Sequence, residues 1–127
     1  MRQVVEMLNK IKNAQTVQKN TVSVPYSNFK YSLAKILEKE GFIGEIKKRG
    51  RKKKRILVRL KYEDRIPRIR EIKMISKPGK RIYLQRKELY LPKSGYGILI
   101  VSTPKGLLTS REAKKMKIGG EAICEVW

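Results

Sequence analysis

The sequence predicts an α+β protein of two small modules. An N-terminal α-β-α-β-β module spans 1–66, and a C-terminal, mainly β module with one short helix spans 67–127. Three observations carry this. Apolar residues recur at helical spacing over 2–14 and again between Ser27 and Gly41. Short alternating or β-branched runs fill much of the remainder. Between the two patterns lies EDRIPRI, residues 63–69, polar and interrupted by proline, as a link would be.

The elements follow in order. In the first helix, 2–14, Val4, Leu8, Ile11 and Ala14, with Met7, form a stripe while Lys10, Lys12 and Asn13 face elsewhere. A short β-prone run, 21–24, stops at Pro25. The second helix is punctuated at both ends. Ser27 suits the N-cap, and Tyr26 with Tyr31 suits a hydrophobic staple across it. Leu33, Ile36 and Leu37 make its buried stripe, and Gly41 is placed to take positive φ after the last turn, folding Phe42 back on Leu37. Strands over 42–47 and 55–62 come next, joined by a 48–54 loop.

Beyond the link, a strand over 70–75 leads to a turn at 76–79. Pro78 fixes φ there, and Gly79 supplies the positive φ that a type II turn needs. A strand over 81–85 and a loop at 91–97 follow. Ile98 to Thr103 is a continuous apolar and β-branched run, suited to a central strand buried on both faces. Thr109 and Glu112 make a capping box that opens a helix to about Met116. Gly119-Gly120 stops it, and 121–127 alternates as a last strand. Phe29, Tyr31, Phe42 and Trp127 are expected in the core, and Cys124 as a small buried hydrophobe.

Composition narrows the function. The 127 residues carry 32 Lys and Arg against 11 Asp and Glu, a formal net charge of +21. The excess is shared, net +12 over 1–66 and +9 over 67–127, so neither module is a mere basic tail. With no histidine and one cysteine, a Cys/His zinc site, a disulfide framework and histidine acid–base catalysis are excluded. No run reaches the ~18 apolar residues that would span a bilayer, and the first residues lack a signal-peptide apolar region. A basic face repeated on folded modules points to nucleic acid, with no membrane partner, no cofactor and no small-molecule substrate. A general DNA-compacting protein meets the charge argument equally well, and an RNA-cleaving protein is motivated only by the charge.

Four groups of residues are candidates for contact. KKRGRKKKR, residues 47–55, has eight basic residues in nine. It reads either as a solvated hairpin tip or as a finger in which Lys48, Arg49, Arg51, Lys52, Lys53 and Lys54 track phosphates without reading sequence. Ser102, Thr103, Pro104, Lys105 and Gly106 form either a polar turn or a place where backbone and small hydroxyls approach a ligand. Gly119, Gly120 and Glu121 are either a helix stop or exposed amide donors beside one acceptor, and Asn13 is either a helix C-cap or an RNA contact. Tyr83 and Tyr96 lie beside turns and basic residues, where base stacking competes with burial.

The stretch STPKGLLTSREAKKMKIGGEAICEVW closely resembles the end of the bacterial small-subunit ribosomal protein eight family. ISKPGKRIY at 75–83, VPYSNFKYSLAKILEKEGFI at 24–43 and MLNKIKNA at 7–14 continue the likeness in the family's order over nearly the whole chain. The resemblance implies two α/β modules and a non-catalytic, cytoplasmic protein of the small ribosomal subunit. Such a protein binds the central domain of small-subunit rRNA early in assembly, lies among neighbouring small-subunit proteins, and also binds its own operon messenger. Carried over, the RNA contacts fall on Ser102, Thr103 and Lys105, on Gly119, Gly120 and Glu121, and on Tyr83 close by. In the first module they fall on Lys12, Asn13, Ser27 and Lys30. The sequence departs from the family pattern at Pro104, where a serine is usual, and at Asn28, where a lysine is usual. The 47–55 run is more basic than the resemblance requires.

Overall fold

The structure is a computed structural model and describes residues 2–127. These group into two compact units that divide between residues 69 and 70.

In the first unit, α1 (Arg2–Thr16) and α2 (Asn28–Lys39) accompany a three-stranded antiparallel sheet of β1 (Thr21–Pro25), β2 (Ile46–Arg49) and β3 (Arg55–Arg59), in the order β1-β3-β2. Val22, Val58 and Ile46 form one cross-strand row and Val24, Ile56 and Lys48 the next. Alternation puts both rows on one face of the sheet. Their apolar members are buried, as are Val4, Met7, Leu8 and Ile11 of α1 and Leu33, Ala34, Ile36 and Leu37 of α2. Each fully buried Leu or Ile contributes roughly 1.5–3 kcal/mol relative to exposure, which is what binds helices to sheet.

Both ends of α2 form as their residues dictate. Ser27 Oγ accepts from the Lys30 amide at 3.1 Å, and the Tyr26 and Tyr31 rings meet with centroids 5.8 Å apart. At the other end Gly41 takes φ +82°, the Gly41 amide donates to Glu38 O and the Phe42 amide to Leu37 O. That is the Schellman arrangement. It also corrects the strand expected over 42–47. The Phe42 and Ile43 amides are both directed to Leu37 O, Gly44 and Glu45 share the backbone of Arg59 out of register, and the regular ladder begins only at Ile46. β2 therefore runs into the basic segment, and Lys48 and Arg49 are strand residues rather than loop residues. β3 likewise ends at Arg59 instead of reaching residue 62.

Two further expectations change in this unit. α1 continues to Thr16, so Asn13 lies inside the helix and is not its C-cap. The 63–69 link holds a small hairpin, β4 (Tyr62–Glu63) against β5 (Ile66–Pro67), turned by Asp64 and Arg65, both at positive φ. Phe29, expected in the core, is 38% exposed because it falls on the outer side of α2's first turn.

The second unit is one antiparallel sheet around β10 (Gly120–Val126). β6 (Ile72–Met74), β10, β8 (Ile98–Thr103) and β9 (Gly106–Thr109) follow in that order, and β7 (Tyr83–Leu84) pairs with the start of β10. The type II turn forms between Lys77 and Lys80 with Gly79 at φ +79°, one residue later than 76–79. The flanking strands are shorter than expected, a short 3-10 turn occupies Arg86–Glu88, and in the 91–97 loop Lys93 and Ser94 take positive φ. β8 matches its expected range, with Ile98, Leu99, Ile100 and Val101 all buried. α3 (Ser110–Lys115) opens on the capping box, with Thr109 Oγ1 accepting from the Glu112 amide and the Thr109 amide donating to Glu112.

β9 is new: four residues of GLLT complete a hairpin with β8 where only a turn is expected. The β10 alternation is broken by a bulge between Ala122 and Cys124, so Ala122, Ile123 and Cys124 are all buried in succession. Cys124 is fully buried, and burial, with the Glu125 charge beside it, pushes its thiol up to about 12. Trp127 is only half-buried, with the Lys93 ammonium 4.3 Å from its ring centroid.

Candidate nucleic-acid interface

In the second unit, β10 begins wedged between two strands. Glu121 pairs with Tyr83 on β7 and with Ser102 on β8, so Tyr83, Glu121 and Ser102 form a cross-strand row. Directly opposed residues of an antiparallel ladder project to the same face. The row borders an open cleft of about 510 Å³ that Thr103, Pro104, Gly119 and Gly120 also line. Six of the expected contact residues are thus gathered: Tyr83, Ser102, Thr103, Gly119, Gly120 and Glu121. Lys105 and Gly106 stand at the tip of the β8–β9 hairpin, outside the lining.

The glycines are demanded by packing. A Cβ on Gly119 would run into the Leu84 carbonyl oxygen, and one on Gly120 into the Ser102 carbonyl oxygen. Both obstacles are backbone, so three strands converge here only because β10 enters through two glycines.

The hydroxyls divide their work. Thr103 Oγ1 donates to Gly106 O at 2.8 Å and accepts from the Lys105 amide at 3.1 Å, closing the hairpin turn in which Pro104 sits. Among the described residues, the Ser102 hydroxyl makes no hydrogen bond, and neither does the Tyr83 hydroxyl, whose residue is 66% exposed. Glu121 keeps one oxygen 3.7 Å from the Arg81 guanidinium, whereas its Oε2 is buried without a hydrogen-bond partner. Such an acceptor costs about 1–3 kcal/mol when left unsatisfied. The cleft therefore offers an aromatic face and a hydroxyl that the fold does not use, with the unpartnered Glu121 Oε2 buried at its wall.

The first unit presents its expected residues differently. Lys12 and Asn13 lie in the later turns of α1, Asn13 exposed. Ser27 is engaged as the α2 cap. Lys30 is 8% exposed, with its ammonium 3.4 Å from the Pro25 carbonyl oxygen. In the hairpin, Lys48, Arg49, Arg51, Lys52, Lys53 and Lys54 are all exposed, Lys48 rising from the core face of the sheet. The sequence reading missed Arg81, Gln85 and Glu88. Arg81 meets Glu121, Gln85 and Glu88 line the cleft, and the Gln85 amide donates to the Glu88 carboxylate at 2.8 Å. No short-range pattern flags them, because β7 is only two residues long. Tyr96, weighed for stacking, is 89% exposed in the loop before β8.

No group of three or more His, Cys, Asp or Glu side chains suited to a metal occurs among the described residues. Among the described residues no helix is long and apolar enough to cross a membrane. Two basic α+β units, one with a cleft of uncommitted polar and aromatic groups and one with a cationic hairpin, define a class whose exposed chemistry suits a polyanion.

Within that class the chain belongs to the ribosomal protein S8 family, whose family profile matches residues 3–127. It is 46% identical over 127 residues to the small ribosomal subunit protein uS8 of Trichodesmium erythraeum, covering 98% of this chain and 96% of the relative. The uS8 of Wigglesworthia glossinidia brevipalpis is 45% identical over 123 residues, 97% of this chain and 95% of the relative. That of Dictyoglomus turgidum is 43% identical over 125 residues, 98% and 95%.

Proposed function

We infer that the chain is a structural, non-catalytic protein of the cytoplasmic small ribosomal subunit that binds small-subunit rRNA. The contact is assigned to the central domain of that RNA, where binding favours its folded form. The carrying observation is the row of Tyr83, Glu121 and Ser102, whose exposed ring, buried oxygen and hydroxyl are left unused by the fold. An unpaired base stacked on Tyr83 would present a polar edge to the Ser102 hydroxyl, and its amino edge to Glu121 once the carboxyl turns to expose Oε2. Lys105 then holds a flanking phosphate, and the 48–54 cations of the first unit make their own phosphate contacts, which orient the RNA without reading it. Lys12, Asn13, Ser27 and Lys30 make the first unit's approach, with Lys30 acting from a largely buried position. Neighbouring small-subunit proteins are further partners, and the same cleft takes the operon messenger where it presents the same unpaired bases.

The test compares an rRNA internal-loop hairpin with a fully paired duplex of equal length. Tighter binding of the internal loop is expected, and equal affinities defeat the reading. DNA compaction, the rival reading, predicts sequence-blind DNA binding and gives the cleft no task.

A further inference from the structure

The 47–55 run is not a uniform finger. Lys48 shares a face of the sheet with Ile46 and Val58, at the end of the row Val24–Ile56–Lys48. Its stem starts on the core side and its ammonium emerges over two rings, 5.0 Å from the Tyr26 centroid and 4.7 Å from that of Tyr31. The Lys54 ammonium lies 6.0 Å from the Tyr26 ring and that of Lys35 5.6 Å from the Tyr31 ring. The scaffold is tied down on both sides. The Tyr26 amide donates to the Lys54 carbonyl at 3.1 Å, and the Tyr26 hydroxyl donates to Asn28 Oδ1 at 3.0 Å.

Three ammonium groups drawn to one pair of rings repel each other, and carboxylates would ordinarily neutralise them. Here Lys35 alone has one, Glu38 at 3.7 Å, whose other oxygen accepts the Ile46 amide. Lys48 and Lys54 form no ion pair among the described residues. Ring faces attract a cation through the quadrupole without cancelling its charge. The tyrosines therefore hold positive charge in place and leave it available. A ligand that meets charge already ordered loses less side-chain freedom on binding. Arg51, Lys52 and Lys53 at the hairpin tip have no such anchor among the described residues.

We propose that Tyr26 and Tyr31, with Lys35, Lys48 and Lys54, form a preorganised phosphate-binding platform for an RNA backbone. The platform rests on the reading of the chain as an RNA-binding protein and adds to it a second, sequence-blind contact. It differs in kind from the hairpin tip. Its lysines are fixed before the RNA arrives, whereas those of the tip are ordered by it.

The test uses charge-matched variants of the full chain and a short single-stranded oligouridylate, followed by fluorescence anisotropy. Lys48→Met and Lys52→Met each remove one charge from the same hairpin. Lys48→Met is expected to weaken binding roughly three- to tenfold more than Lys52→Met. Equal losses overturn the proposal. The Tyr26→Leu/Tyr31→Leu pair keeps net charge and an apolar staple and is expected to weaken binding. The Tyr26→Phe/Tyr31→Phe pair keeps the ring faces and the wild-type affinity. A Leu pair that binds as tightly as wild type also overturns the proposal. If that pair fails to fold, the lysine comparison decides alone. Oligouridylate has no internal loop, so these outcomes are independent of rRNA preference. A wild-type chain that binds the internal-loop hairpin but ignores oligouridylate also overturns the proposal, whereas one that binds neither defeats the RNA-binding reading itself.

Discussion

Glu121 and Ser102 stand opposite each other across the β8–β10 ladder, the one with a buried unpartnered carboxylate oxygen, the other with a hydroxyl that bonds to nothing described. Fold stability gains little from either side chain, which makes stability and recognition separable here. Glu121→Ala is expected to leave stability unchanged or raise it by up to about 1 kcal/mol, because an unsatisfied acceptor is removed along with one weak ion pair. Preference for the internal-loop RNA over duplex should fall roughly tenfold, an order set by one polar base contact. Urea unfolding and competition binding on one preparation measure both.

Ser102→Ala and Thr103→Ala should part company. Thr103's hydroxyl closes the β8–β9 turn with two hydrogen bonds, so its loss should cost about 1–2 kcal/mol. Ser102→Ala should stay within about 0.5 kcal/mol of wild type, as for an uncommitted side chain, and still lose RNA discrimination. Urea midpoints for the pair, set beside their RNA preferences, reveal the split.

Gly119→Ala and Gly120→Ala should both destabilise the second unit, by about 1–3 kcal/mol or more, since the added carbon meets backbone oxygens that side-chain rotation cannot clear. Loss of RNA binding is expected to track loss of structure. Near-UV circular dichroism alongside RNA titration follows the two together.

Ionic strength should separate the two kinds of contact. The logarithm of the binding constant is expected to fall linearly with that of salt, at a slope reflecting roughly 5–10 phosphates. Lys53→Ala should weaken internal-loop and duplex RNA alike and reduce the slope by about one. Ser102→Ala should leave the slope unchanged.

Alkaline pH should destabilise the second unit. Burial and the Glu125 charge raise Cys124 from 9.0 to about 12. Burial, then the 2.6 Å hydrogen bond to Glu125, raises Tyr90 from 10.0 to about 12. Below pH 9 both groups are protonated in folded and unfolded chains, and their contribution is fully present. Between about pH 9 and 12 the unfolded chain releases these protons and the folded chain does not. Stability therefore falls, by up to about 1.4 kcal/mol per pH unit for the buried Cys124 and by much less for Tyr90, which solvent screens. Cys124→Ala should flatten the earlier part of that decline, and a thiol reagent should modify Cys124 only in denaturant. Urea midpoints across pH 8–12 measure the first effect.

Features that were legible in the sequence are those fixed by neighbours within about four residues. The Ser27 cap, the Tyr26–Tyr31 staple, the Gly41 reversal, the Thr109–Glu112 box and the Pro78-Gly79 turn all form as their residues dictate. What stayed hidden depends on distant partners. β9 is a strand because β8 lies beside it, and β2 starts late because the end of α2 claims the Phe42 and Ile43 amides. The Asp64-Arg65 turn has no glycine to announce it. The resemblance supplied the names of the cleft residues, but not their division of labour. That Thr103 is spent on its turn, Ser102 is not, and Lys30 is buried becomes visible only when the strands are assembled.

The position of β10 has a consequence for the order of events during synthesis. It pairs with β6, β7 and β8, yet every other strand of its sheet precedes it in the chain. The amides of Arg70 and Glu71, at the start of the unit, donate to the Trp127 carbonyl. A nascent chain lacking residues 120–127 thus holds the β8–β9 hairpin but leaves β6 and β7 without the strand they pair with, whereas the first unit has already received every strand of its own sheet. Its cationic hairpin can be complete and able to hold RNA while the cleft that discriminates among RNAs does not yet exist.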